Sequence, residues 1–182
     1  MIAVEPTLIL AARLALLIIV GLAILHKIRA PLKFRGTIRS YVKGTPLARE
    51  DRVRLLAYAV LSLEVSVFAL NVAAWSLPAG GALAAALFVI YAIAIAGNLA
   101  RGNVLLDCGC SWGNERQPAS WGLVARNLVL AGFALILALP PVREGIGLGE
   151  IVSALACSAI LLLFYLITNQ LIANAGRLEQ RV

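Results

Sequence analysis

Charge is scarce in this chain. Its 182 residues include only 16 Lys and Arg and nine Asp and Glu, 14% in all, while 62% are hydrophobic and the mean hydropathy is +0.93. Soluble domains are about one quarter charged, so a sizeable soluble domain is excluded and chemistry is confined to helix ends, short loops and the interior of a bundle. Histidine occurs once, at His26, and cysteine three times; the paired Cys/His spacing of structural zinc is missing, and no metal site is assigned. Strict apolar–polar alternation is also missing, which excludes a transmembrane β-barrel. There is neither an internal repeat of useful length nor a low-complexity tail. The first apolar run lacks a basic flank and an Ala-x-Ala-like cleavage site before a soluble body, so it is expected to be a retained span and not a signal peptide.

What is present is apolar length. A helical crossing of a bilayer needs about 20 mostly apolar residues, and five runs meet that need, at about 7–25, 55–77, 81–100, 121–140 and 149–172. The expected fold is all-α, a polytopic transmembrane bundle forming a single integral-membrane domain over 1–182. Nine of the sixteen basic residues fall within 26–54. Between lipid-embedded helices, such a segment marks the cytoplasmic side better than it marks a nucleic-acid surface. The connection "LPAGG" carries no charge, whereas the one after residue 100 carries Arg101 and Arg116 and leads to Arg126. An N-terminus outside and a C-terminus inside fit this distribution, with the basic loop and the Cys-containing turn on the inner side.

Within the basic loop, Phe34, Ile38 and Tyr41 recur at helical spacing between Pro31 and Pro46, while Lys33, Arg35, Arg39 and Lys43 lie elsewhere around the helix. This pattern predicts an amphipathic helix at the lipid headgroups, where it anchors to lipid or docks a partner. Glu64 stands about nine residues, roughly 13 Å, into the second run. An ionisable group at that depth needs a partner or a function. Arg13, the basic residue within an apolar run, is its expected partner, in a structural pair or beside a proton-handling Glu64. Asn71 lies seven residues on, sharing Glu64's face, and the two suggest a small-molecule carrier as one alternative function. Asn98 is expected to cap or hydrogen-bond between helices. The Gly- and Ala-rich "PAGGALAAALF" favours close helix approach in lipid.

The stretch "LLDCGCSWG" places Cys108 and Cys110 one glycine apart. An i, i+2 pair in a turn falls within disulfide range, and Gly109 accepts backbone angles closed to other residues. So small a ring is strained, and strained, exposed disulfides are the exchangeable ones; it restricts the unfolded chain too little to serve mainly as a staple. Arg101, Arg116 and Arg126 on the same connection favour a thiolate. Asp107 opposes it by repulsion, or relays a proton. Inert small residues in a turn, and a metal site using Asp107 with His26, are the rival readings. Cys157, about eight residues into the last run, is either a buried small hydrophobe or a third redox partner.

The frame "NLARGNVLLDCGCSWG" followed by "SWGLVARN" resembles the MauE methylamine-utilisation family, itself similar to DoxX-like membrane proteins. Tyr91 to Asn98, Gly113, Ser120-Trp121 and Arg126-Asn127 belong to the match, as do "HKIRAPLKFRGTIRSYVKGTP" and "LSLEVSVFALN" with Glu64. It covers about the first three quarters of the chain. Trp112 departs from the Phe common at its position. The resemblance implies a maturation factor of the bacterial inner membrane that forms or shuttles disulfides in the cysteine-rich small subunit of methylamine dehydrogenase, beside a periplasmic thioredoxin-like partner. Cys108 and Cys110 would exchange, with Asp107, Gly109, Arg126 and Asn127 shaping the site. A quinone is the candidate electron acceptor, though no residue pattern marks a site for it. A noncatalytic accessory or chaperone subunit is the alternative. One tension follows: charge places the cysteines inside, and a periplasmic client wants them outside.

Overall fold

The computed structural model describes residues 5–73, 78–102, 119–139 and 147–179. These residues form six α-helices and no strand: α1 (Pro6–Arg29), α2 (Pro31–Tyr41), α3 (Glu50–Ala73), α4 (Pro78–Leu99), α5 (Trp121–Ile136) and α6 (Leu148–Glu179), with a 3₁₀ turn at Pro46–Ala48. Four of them, α1, α3, α4 and α6, are long and apolar enough to cross a membrane. The chain is thus an all-α, multi-pass membrane protein. Helix α5 is apolar but has 16 residues, about 24 Å, shorter than the expected 121–140 run. It ends in a turn over 137–139, ahead of Pro140 and Pro141, because a residue preceding proline is pushed out of the helical region.

The supposed basic loop at 26–54 is largely helical. Helix α1 runs on to Arg29 and places Lys27 in its last turn. Ala30 then breaks the helix, with Pro31 opening α2 at a first-turn position that needs no N–H donor. Gly44 has φ +80° in the turn that follows, a conformation glycine adopts without penalty. Helix α3 starts at Glu50, five residues before the expected run, because Glu50 and Asp51 suit the positive end of a helix. Helix α2 is amphipathic as expected, and its apolar residues Phe34, Ile38 and Tyr41 turn towards the bundle, where they line a cavity with side chains of α3, α4 and α5. Arg39 forms an exposed ion pair with Glu50.

Setting α2 aside, α3, α4, α5 and α6 each reverse the direction of the helix before. Lys27 meets Glu64 while a Cβ on Gly21 would touch Phe68, so α1 and α3 are antiparallel. Asn71 reaches Gly80 and Tyr91 reaches Glu64 between α3 and α4. Gly81 abuts Ala134 and Ala138, and Ile95 packs with Leu123, between α4 and α5. Gly122 faces Ile172 between α5 and α6. The main core joins α1, α3, α4 and α5 through Leu16, Val20, Val67, Leu87, Phe88 and Ala134. Outward residues such as Ile93, Phe164 and Leu171 are apolar and exposed, as surfaces facing lipid are.

The bundle therefore has two ends. The first gathers the start of α1, the Asn71–Gly80 contact, the end of α5 and the start of α6. The second gathers Lys27, α2, the end of α4, the start of α5 and the last turns of α6.

Candidate functional site

The second end contains a group of buried polar side chains. Lys27 Nζ lies 2.5 Å from Glu64 Oε1, both side chains nearly inaccessible. Tyr91 donates its hydroxyl to the same oxygen at 2.6 Å. The Lys27 ammonium also sits 5.4 Å from the Phe34 ring centre and 5.7 Å from that of Tyr91, near enough for cation–π attraction. Helix α2, folded back by the break at Ala30, brings Phe34 over Lys27. A buried ion pair needs further hydrogen bonds to offset the loss of hydration. Glu64 Oε2 has none among the described residues.

On the neighbouring helices, Arg126 Nη1 donates to Asn169 Oδ1 at 2.5 Å, and its guanidinium lies 5.6 Å from the Tyr165 ring centre. Asn127, also buried, donates to Leu123 O one turn back. Among the described residues, three spaces adjoin these groups. A chamber of about 30 Å³ is bounded by His26, Glu64, Tyr91, Arg126, Asn127 and Tyr165, room for one or two waters beside an unmatched carboxylate oxygen. A groove of about 190 Å³ lies beneath α2, where Lys27, Tyr91, Arg126 and Asn127 form its polar end. The third is a cleft of about 640 Å³ among α1, α5 and α6, which Arg126 also borders. Arg126 is common to all three. The arrangement can hold charge away from water, pass protons along Tyr91, Glu64 and a chamber water, and present a guanidinium to a ligand entering from lipid.

Three residues expected from the sequence thus converge: Glu64, Arg126 and Asn127. Others do not. Arg13 is buried but stands about 14 residues, roughly 21 Å, from Lys27 along α1. The expected Arg13–Glu64 pair is replaced by Lys27–Glu64, because antiparallel packing sets Glu64 level with the far end of α1. Asn71 spends its donors on Val67 O and Gly80 O, tying α3 to the first turn of α4. Asn98 donates to Ala94 O within its own helix. Arg101 is exposed and donates to Gly97 O at the end of α4. His26 borders the chamber. Cys157 packs in the α1–α6 seam with Leu10, Ala11 and Ala154, about 15 residues, or roughly 22 Å, along α6 from Ile172.

Asp107, Cys108, Gly109 and Cys110, with Trp112, Gly113 and Arg116, lie outside the described residues. The flanks of their segment are described: α4 ends and α5 begins side by side at the second end, where Ile95, Leu99, Ala119 and Leu123 pack together. Lys27, Tyr165 and Asn169 carry roles that sequence reasoning missed. A signal for Lys27 existed, since it lies seven residues after Val20 on one helical face; Tyr165 and Asn169 offered only a turn's spacing on one helix.

The family model for methylamine utilisation protein MauE matches residues 5–140. A methylamine utilization protein MauE from Paracoccus denitrificans is 37% identical over 164 residues, spanning 90% of this chain and 86% of the relative. Proteins of the same description from Methylophilus methylotrophus and Methylorubrum extorquens are 27% identical over 174 residues (92% of this chain, 87% of the relative) and 33% over 138 (75% and 72%). No solved structure matches.

Proposed function

The chain belongs to the MauE family, and from that premise we propose that it is an accessory factor of methylamine utilisation that exchanges disulfides through Cys108 and Cys110. A dithiol attacks the Cys108–Cys110 disulfide through its thiolate; one S–S bond breaks as a mixed disulfide forms, and the second thiolate of the dithiol releases it. The dithiol leaves as a disulfide. Two electrons and two protons remain on Cys108 and Cys110 as thiols, and the pair must pass them to an acceptor before acting again. The observation that carries this reading is positional: the segment bearing both cysteines is anchored at each side on the end of the bundle where Glu64, Tyr91, Arg126 and Asn127 are buried together. Asp107, Gly109 and Arg101 flank or lie within that segment and shape it.

The clients in this reading are the cysteine-rich small subunit of methylamine dehydrogenase and a thioredoxin-like protein, with membrane lipid around the bundle. The protein resides in the bacterial inner membrane. The charge distribution orients the N-terminus outwards and the second end inwards. In that orientation the pair draws electrons from cytoplasmic dithiols; in the reverse one it meets the periplasmic client directly. A membrane-impermeant maleimide applied to sealed right-side-out and inverted vesicles, before and after reduction, reports which holds. Replacing Cys108 and Cys110 together with Ser tests the chemistry. Disulfide formation in the small subunit, followed by alkylation mass shifts, should stop while the amount of the membrane protein is unchanged. Full disulfide formation in that variant would overturn the exchange reading and leave a noncatalytic subunit.

A further inference from the structure

The cleft among α1, α5 and α6 is the largest of the three spaces described beside Arg126, and neither the ion pair nor the thiol exchange uses it. Helix α5 touches α6 through Gly122 and Ile172, and through Arg126 and Asn169. Farther along, about 640 Å³ separates the two helices, lined by Phe133, Phe164, Leu161 and Val129 with Ala12 and Leu16 of α1 behind them. That volume lies within the range of small-molecule sites, which are mainly apolar and aromatic with a few placed polar groups. Here the polar groups are Arg126, Tyr165 and Thr168, all towards the second end. Val129, Phe133 and Phe164 are exposed, so a ligand would enter sideways from the lipid. Arg126 is 7% exposed and is held in place by Asn169, which makes it a fixed donor rather than a mobile surface cation. Trp121, which opens α5 shortly after the cysteine-bearing segment, is five residues, about 8 Å, from Arg126 along the helix.

We propose that this cleft binds a lipid-soluble quinone, whose ring lies among the aromatic side chains, whose carbonyl oxygen accepts a hydrogen bond from Arg126, and whose isoprenoid tail leaves between α5 and α6. A neutral carbonyl acceptor suits one anchored guanidinium in an apolar wall, and a flat ring suits walls of Phe and Tyr. Resting on the exchange reading above, the quinone is the acceptor that reoxidises the cysteines: the two thiols become the Cys108–Cys110 disulfide, and their two electrons and two protons convert the quinone to quinol.

Purified full-length protein in lipid nanodiscs, irradiated with a photoreactive azidoubiquinone and mapped by peptide, tests the site. Labelling should fall on α1, α5 and α6 peptides, be competed by decylubiquinone but not by added phospholipid, and occur equally in the double Cys108→Ser, Cys110→Ser variant. Ala125→Trp and Thr168→Trp, both at exposed positions bordering the cleft, should abolish it with helical content unchanged; Ile93→Trp on the lipid face of α4 should not. Labelling spread over all lipid-facing helices, or indifferent to the two cleft substitutions, means that lipid chains alone fill the space and overturns the proposal. Site-specific labelling without quinol production by the reduced wild-type protein would sustain the binding site and sink the electron transfer. Quinol production that persists in both cleft variants would sustain the exchange reading and sink the site.

Discussion

The two ends of the bundle differ in whether their buried polar side chains meet one another. Asn71 at one end, like Asn98 and Asn127 at the other, turns to backbone carbonyls, and the ion pair and the Arg126–Asn169 contact belong to the second end alone among the described contacts. At the first end, Asn71 gives its donors to two backbone carbonyls, and Gly81 allows α4 so close to α5 that an added Cβ would stand 2.7 Å from Ala134 O and 2.8 Å from Ala138 N. No space is left. At the second end Lys27 and Tyr91 both bind Glu64 and Arg126 binds Asn169, and Arg126 borders each of the three cavities described above. Backbone-directed polar groups with close packing fix helices in place; side-chain pairs that surround space leave room for a ligand or a proton. The first end is a clamp, and the second holds the candidate site.

The largest test of this contrast is Glu64→Ala. Leaving Lys27 buried without its carboxylate should cost about 3–5 kcal/mol, read as a lowered midpoint in SDS titration of mixed micelles. The double replacement Lys27→Met, Glu64→Leu sharpens the point, because an apolar pair of similar volume is often neutral or better. Stability should return and disulfide exchange should not; recovered exchange would make the ion pair a strut and erase the distinction between the ends. Gly81→Val at the clamp should destabilise by about 1–3 kcal/mol through overpacking, with thiol reactivity per folded molecule unchanged. Asn71→Ala should cost about 0.6–1.7 kcal/mol, as membrane-buried hydrogen bonds do, again without altering exchange. Cys157→Ala should be the mildest, about 1 kcal/mol or less, and should leave exchange intact in the alkylation assay. A loss of exchange there would make Cys157 a redox partner despite its distance from the second end.

Several of these elements were legible along the chain. The apolar runs marked the long helices because a bilayer core demands length, and Pro31 with the spacing of Phe34, Ile38 and Tyr41 marked α2. Glu64 stood out as an ionisable residue amid apolar sequence, Arg126 as a cation beside the cysteines, and Asn127 through the motif that resembles the MauE family. Lys27 did not, because it lies among basic residues whose usual explanation is the interface; only the continuation of α1 and the folding back of α2 bury it. Arg13 was the reasonable wrong partner, since distance along the sequence says nothing about which turn of α1 faces Glu64.

Composition by itself determined that this protein lives in lipid, that it is helical, and which residues are too polar to be there by accident, because each of those follows from the cost of exposing backbone or charge to hydrocarbon. Pairing was decided only in three dimensions. Antiparallel packing put Lys27 level with Glu64, brought Arg126 to Asn169 across more than forty residues of chain, and left α5 and α6 apart around a cleft. Those contacts depend on helix register and direction, which no local pattern of side chains encodes.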